Sequence, residues 1–294
     1  MQKLRFFGWF IAGWLLVSSC SKFSKLQKSG TDDQKYQAAM DYFKKKDFYK
    51  AGLLFEELIP ILKGSEQQEL ASYYFAYCQY HQGQYSLANF YFKKFYDTFA
   101  RSEHAPEAAY MAAYSLYKDS PKHNLDQTST ITAIDALQTF LNTFPDTEHR
   151  EECTNNIKEL RKKLETKAYE KAKLYFQTKD YDMSRLKSAV IAFSNFQLDY
   201  PDSDYNEEIA FMQVQAGYEY AKLSFEEKQK ERFDETVGYY QSFVDKYPNS
   251  KYIKQAEKLY EDSVKESARL AALKEKKEEE KKNNANKVGA GNQQ

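Results

Sequence analysis

Five stretches of this chain repeat one apolar spacing, and three of them close on the same kind of turn. Such repetition restricts the fold to stacked copies of one small unit. Aligned on Ala51, Ala88, Ala133, Ala189 and Thr236, each stretch has a large apolar residue four positions on: Phe55, Phe92, Leu137, Phe193 and Tyr240. Seven positions on comes another: Leu58, Phe95, Phe140, Phe196 and Phe243. Offsets of this kind lie on one face of an α-helix. In the last four copies an aromatic follows at the eleventh position: Phe99, Phe144, Tyr200 and Tyr247. Three of these run on as Phe144-Pro145-Asp146-Thr147, Tyr200-Pro201-Asp202-Ser203 and Tyr247-Pro248-Asn249-Ser250. Proline lacks an N–H and clashes one turn back, so each helix stops there. The Asp/Asn and Ser/Thr that follow supply a cap for the next helix. The second copy keeps Phe99 and Ser102 but has Ala100 in the place of proline.

A second helix precedes each of these. Residues 71–80 and 108–117 share five of ten identities, with tyrosine at the third, seventh and tenth positions of the shared frame: Tyr73, Tyr77 and Tyr80, then Tyr110, Tyr114 and Tyr117. Tyr36, Met40 and Phe43 fit the same frame in the first copy, behind a capping box that Thr31 and Gln34 predict. The fourth copy supplies Tyr169, Ala172, Lys173 and Phe176, and the register of the fifth, around Phe211 to Tyr220, stays open. These residues resemble the tetratricopeptide repeat, with Ala76, Gly83-Gln84-Tyr85, Ala88, Phe92 and Phe95 in the family's places in the second copy. The resemblance implies an all-α fold, an α-solenoid of about five helix pairs over residues 31–265. Copies start 37, 45, 56 and 47 residues apart, so longer helices or loops, around 119–126 and 146–165, must absorb the excess over the family's usual period. In such arrays the first helix of each pair lines a groove. Tyr36, Met40, Phe43, Tyr73, Tyr77, Tyr80, Tyr110, Tyr114 and Tyr117 then form an aromatic peptide-binding ladder, or some of these rings are core between repeats.

Composition agrees with helices: Gly and Pro number only 10 and 6. Lys plus Arg equals Asp plus Glu at 43 each, so no basic field exists to hold nucleic acid. His81, His104, His123 and His149 show no ligand spacing with Cys or Asp, and no metal site or cofactor is expected. Phosphate-binding, esterase and zinc-protease motifs are absent, so the reading is non-enzymatic. Cys78 and Cys153 either pair or pack as buried thiols.

Lys3, Arg5, an apolar run from Phe6 to Val17 and then Ser18-Ser19-Cys20 make up the N-terminus. About a dozen apolar residues are too few to span a bilayer. The segment resembles the bacterial lipobox, which implies cleavage after residue 19 and covalent lipid on Cys20. An ordinary signal peptide or short anchor with an incidental cysteine is the alternative. Residues 20–30 read as a lipidated flexible tether with Lys22, Lys25 and Lys28. Ser21, with no Asp at that place, is similar to outer-membrane sorting. Residues 266–294 read as a Lys/Glu-rich helical extension ending in a disordered tail from Asn283.

A lipobox followed by such repeats resembles the BamD-like family of outer-membrane assembly lipoproteins. The resemblance implies a lipid-anchored scaffold on the periplasmic face of the outer membrane, part of the β-barrel assembly machinery. Its partners would be unfolded outer-membrane proteins, a BamA-like barrel protein and, through Cys20, the lipid membrane, with no nucleic acid. A tetratricopeptide lipoprotein of cell-wall, cell-division or envelope-export machinery is the alternative.

Overall fold

The structure is a computed structural model that describes residues 22–182 and 184–291. The signal segment and Cys20 lie outside the described residues, as does the end of the tail. Helix α1 covers described residues 22–29. There follow α2 (Asp32–Lys44), α3 (Phe48–Ile61), α4 (Glu66–His81), α5 (Tyr85–Thr98), α6 (Ala105–Asp119) and α7 (Thr128–Thr143). Then come α8 (Arg150–Gln177), a 3-10 turn (Lys179–Tyr181), α9 (Ser184–Asp199), α10 (Asn206–Lys222), α11 (Glu226–Lys246) and α12 (Ile253–Gly291). Among the described residues there is no strand. The fold is all-α, built of tetratricopeptide-like helix pairs.

The repeated apolar positions explain why these helices pair. Ala51, Ala88, Ala133, Ala189 and Thr236 are all completely buried. So are Phe55, Phe92, Leu137 and Phe193 four residues on, and Leu58 and Phe243 seven on. Small residues at the first position let the partner helix approach, and the large ones then fill the space. Each such side chain is worth about 1.5–3 kcal/mol on burial. Tyr240 departs from the set: it is half-buried and stacks on Tyr260 of α12, with ring centroids 4.5 Å apart.

The repeats, expected as one array, divide into two compact units, with the boundary after Lys163 inside α8. In the first unit α2/α3, α4/α5 and α6/α7 form hairpins, closed by Cys153, Ile157 and Leu160 of α8 against the α6/α7 core. In the second, Ala172 of α8 packs on Leu186, Ala189 and Phe193 of α9, followed by the α10/α11 hairpin and α12. Much of the long third-to-fourth spacing is thus helix, since α8 is 28 residues long. The second-to-third spacing is lengthened by the 120–127 loop, tied down where buried Gln127 donates to the carbonyls of Lys122 and Leu125.

The expected capping box is present: Thr31 Oγ1 accepts from Gln34 N and Gln34 Oε1 accepts from Thr31 N. Two expectations at the chain ends need correction. Residues 22–29 are helical and docked: Phe23 is buried and meets Tyr42 edge-on at 5.6 Å, with Leu26 beside it in the first core. Two apolar residues three apart were enough to hold one face of a short helix. At the other end α12 continues past Asn283 to Gly291, because adding residues to an existing helix avoids the cost of nucleation. With the first helix of each pair called A and the second B, Gly83 has φ +74° at the turn into the B helix of the second repeat and Lys46 has φ +61° at that of the first. Glycine adopts that conformation freely, whereas lysine does so at a cost of about 1–2 kcal/mol.

Candidate functional site

The turns that end each B helix build the site. At Phe99, Phe144, Tyr200 and Tyr247 the ring packs on the B-helix aromatic four residues back, at 5.1 to 5.9 Å. The hydroxyl three positions on then accepts from a backbone N–H two residues further: Ser102 from His104, Thr147 from His149, Ser203 from Tyr205 and Ser250 from Tyr252. Three of these hydroxyls also donate to a glutamate of the preceding A helix, in the first turn of α4 and α10 and midway along α8: Ser102 to Glu69, Ser250 to Glu207 and Ser203 to Glu165. The hydroxyls therefore form a local turn and a clasp rather than the expected N-cap. Ala100 in place of proline leaves the turn intact, because Ser102 keeps both bonds.

The ring after the hydroxyl stacks back onto the preceding A helix. His104 lies on Tyr73 at 4.5 Å, His149 on Tyr110 at 3.6 Å with the planes 2° apart, Tyr205 on Tyr169 at 4.1 Å and Tyr252 on Phe211 at 4.5 Å. Three residues further along, a glutamate in three of the four copies accepts a phenol from the preceding A helix. Tyr77 donates to Glu107 (2.8 Å), Tyr110 to Glu152 (2.8 Å) and Tyr169 to Glu208 (3.0 Å). The order aromatic, Ser/Thr, ring, Glu was present in the sequence as an extension of the repeated turn. It is the part that the apolar alignment missed.

Of the nine ladder residues, three do not face a groove. Tyr36, Tyr73 and Tyr110 are buried, and this corrects their expected exposure: Tyr73 and Tyr110 turn toward the B helix, onto Phe95 and Phe140, and Tyr36 lies in the core of the first repeat. Tyr77, Tyr80, Tyr114 and Tyr117 are half-buried, packed against the core of the second and third repeats. Tyr80 approaches Tyr114 with centroids 6.2 Å apart, and Tyr114 lies 5.5 Å from both Tyr110 and Tyr117. Tyr117 donates to Glu159 at 2.7 Å. Met40 and Phe43 are half-buried at the first repeat, Phe43 tilted on Tyr74 at 4.8 Å.

Electrostatics keep this face neutral in its phenols and acidic at its edges. Burial, then the hydrogen bond with Tyr73 and the charge of Glu107, hold Tyr77 far above the ordinary phenol range. Burial and neighbouring Tyr114 push Tyr80 up to about 12. The hydrogen bond to Glu159, with burial, does the same for Tyr117. Each phenol therefore stays protonated, and Tyr77 and Tyr117 already donate to a carboxylate. Glu107 also meets His149 Nε2 at 3.0 Å. An incoming ligand meets ring faces and spare carboxylate lone pairs, an arrangement suited to apolar side chains flanked by N–H donors.

The same pattern recurs in the second unit, where Lys173 joins Tyr169 on Glu208 at 2.9 Å. Leu223 and Phe225, on the turn between α10 and α11, are 58% and 78% exposed and form an apolar protrusion. Cys78 and Cys153 are free and buried. Among the described residues no group of His, Cys, Asp and Glu could hold a metal, and no helix is long and apolar enough to cross a membrane.

Residues 28–184, more than half of the chain, match the family described as YfiO, outer membrane lipoprotein. Residues 215–250, across α10 and α11, match a tetratricopeptide repeat. No curated protein gives a significant match.

Proposed function

We propose, for a chain that belongs to the YfiO outer-membrane lipoprotein family, that the A-helix face of the first unit receives unfolded outer-membrane proteins and the second unit docks the BamA-type barrel protein. The family is the BamD-like one that the sequence resembles. The protein is a non-catalytic, periplasm-facing scaffold of outer-membrane β-barrel assembly, anchored at the outer membrane. Lipid on Cys20 is the proposed anchor. Each buried methylene adds about 0.8 kcal/mol, so several chains hold firmly.

The observation that carries the substrate reading is the half-buried set Tyr77, Tyr80, Tyr114 and Tyr117, whose rings line one face while their neighbours fill the core. Tyrosines offer wide contact at low rotamer cost. Barrel segments are rich in aromatic side chains on extended backbone, and an extended backbone brings the N–H donors that the glutamates accept. For the docking end, Leu223 and Phe225 supply an exposed apolar contact.

Replacing Tyr77 and Tyr114 together by Ala tests the first part. Binding of unfolded barrel protein should fall at least tenfold with little loss of helicity at working temperature. Unchanged binding would remove this face from the substrate site. Recovery of a large barrel protein from solubilised membranes should survive that double change and be lost with Phe225→Asp. Recovery independent of Phe225 would place the docking surface elsewhere.

A further inference from the structure

We propose that the exposed end of the α1/α2 hairpin is a second membrane contact, a basic surface that binds the anionic headgroups of the bilayer carrying the lipid anchor. The inference rests on acylation of Cys20, proposed above. The docking of α1 carries it. Phe23 is buried and packs on Tyr42, near the end of α2, and the Lys50 ammonium in the first turn of α3 lies 6.0 Å from the Phe23 ring. α1 therefore runs antiparallel to α2, and its first residue sits beside the α2–α3 turn. Residue 20 is three positions from Phe23, at most about 11 Å of fully extended chain. Acyl chains held on so short a lead bring headgroups against that turn, which a flexible eleven-residue tether would not do.

The turn is built for such a neighbour. Lys44, Lys45 and Lys46 are consecutive and exposed. Lys22 and Lys25 are exposed in the first turn of α1, Lys25 on the side away from Phe23. None of the five forms an ion pair with another described residue. The carboxylates at this end are exposed Asp41 and half-buried Asp47, and Asp47 is engaged in capping α3 and pairing with Lys50 at 2.7 Å. Tyr49, in the first turn of α3, is 65% exposed, an amphipathic ring of the kind that settles at a membrane interface. Lys46 occupies a left-handed position where the next repeat has Gly83, so a cation stands where local conformation favours glycine. A bilayer surface with anionic phospholipids satisfies all of these groups at once. The contact would fix the first unit with its α2–α3 turn toward the membrane instead of leaving it to swing on the anchor.

The test uses the mature chain carrying Cys20→Ser, so that no acyl chain contributes, and vesicles of phosphatidylethanolamine with phosphatidylglycerol against vesicles of phosphatidylcholine. The chain should sediment with the anionic vesicles at low ionic strength and be released as salt shortens the screening length. Changing Lys44, Lys45 and Lys46 together to Gln should weaken that partition roughly 100-fold, at about fivefold per lysine. Equal partition onto both vesicles, insensitivity to salt, or an unaffected triple variant would each overturn the proposal. Salt release of the Cys20→Ser chain with its lysines intact keeps the test decisive if the triple variant folds poorly. Mass analysis of the mature N-terminus reads acylation separately. An unmodified Cys20 defeats the anchor, while absent charge-dependent binding beside an acylated Cys20 defeats only the headgroup surface.

Discussion

Tyr110 distinguishes a ring that holds repeats together from one that holds a client, and its substitution has a calculable size. The side chain is 5% exposed, lies flat on His149 at 3.6 Å, and has Tyr114 and Phe140 within 5.6 Å. Tyr110→Ala removes the whole ring from a site walled by α7 and the start of α8, where the backbone has little room to collapse. The loss should be about 3–5 kcal/mol, set by transfer plus the cavity left behind. Tyr110→Phe keeps the stack and deletes only the bond to Glu152. Because Glu152 is exposed, its carboxylate is rehydrated, and the cost should be about 0.5–1.5 kcal/mol. Urea denaturation followed by far-UV circular dichroism gives both numbers; Trp9 and Trp14, the only tryptophans, fall in the segment read from the sequence as a signal peptide. The first unit should unfold at lower urea in the Ala variant while the second keeps its midpoint, so two resolved steps are the expected form. A Tyr110→Ala loss below about 1.5 kcal/mol, or equal losses for Ala and Phe, would refute the reading of this ring as inter-repeat core.

Two further outcomes follow from local geometry. A methyl at Gly217 would meet Thr236 Oγ1 at 2.9 Å and the Tyr239 ring at 3.1 Å, whereas one at Gly238 meets nothing within 4 Å. Gly217→Ala should destabilise the second unit by about 1 kcal/mol, overpacking exceeding the helix-propensity gain, while Gly238→Ala stabilises it by about 0.5–1 kcal/mol, both read as shifts in melting temperature. Burial pushes the Cys78 thiol up to about 12 and the Cys153 thiol, with Glu152 adding, up to about 11. Raised values mean that the folded chain keeps protons that the unfolded chain releases. The contribution is therefore complete below about pH 9 and is lost as the pH rises through the folded values. The urea midpoint should drop as the pH rises from about pH 9 toward about pH 11, and less so with both thiols changed to Ala.

How far the chain could be read before its structure depended on which residues had one job. Ala88, Phe92 and Phe95 answer to packing alone, so their spacing named the helix, its face and its partner. The same held through Ala189, Phe193 and Phe196. Tyr73 and Tyr77 are four apart on one helix and share a residue type, yet one is buried under His104 and the other half-buried on Glu107. No periodicity separates them, because the difference is made by His104 and Glu107 from the next repeat. The N-terminus shows the same effect in reverse. Lys22, Lys25 and Lys28 conceal the one pair, Phe23 and Leu26, that docks the segment. A helix of so few residues has no sustained pattern to detect; what orders it is contact with Tyr42, a residue about twenty positions away. Turn chemistry was intermediate. Pro145, Pro201 and Pro248 announced the helix ends, but the working parts of those turns are Ser102, Ser203 and Ser250, each joined to a glutamate more than thirty residues back. Those clasps recur in both units, with and without the proline, so the serine and its glutamate, more than the ring-locked residue before them, define where one repeat hands over to the next.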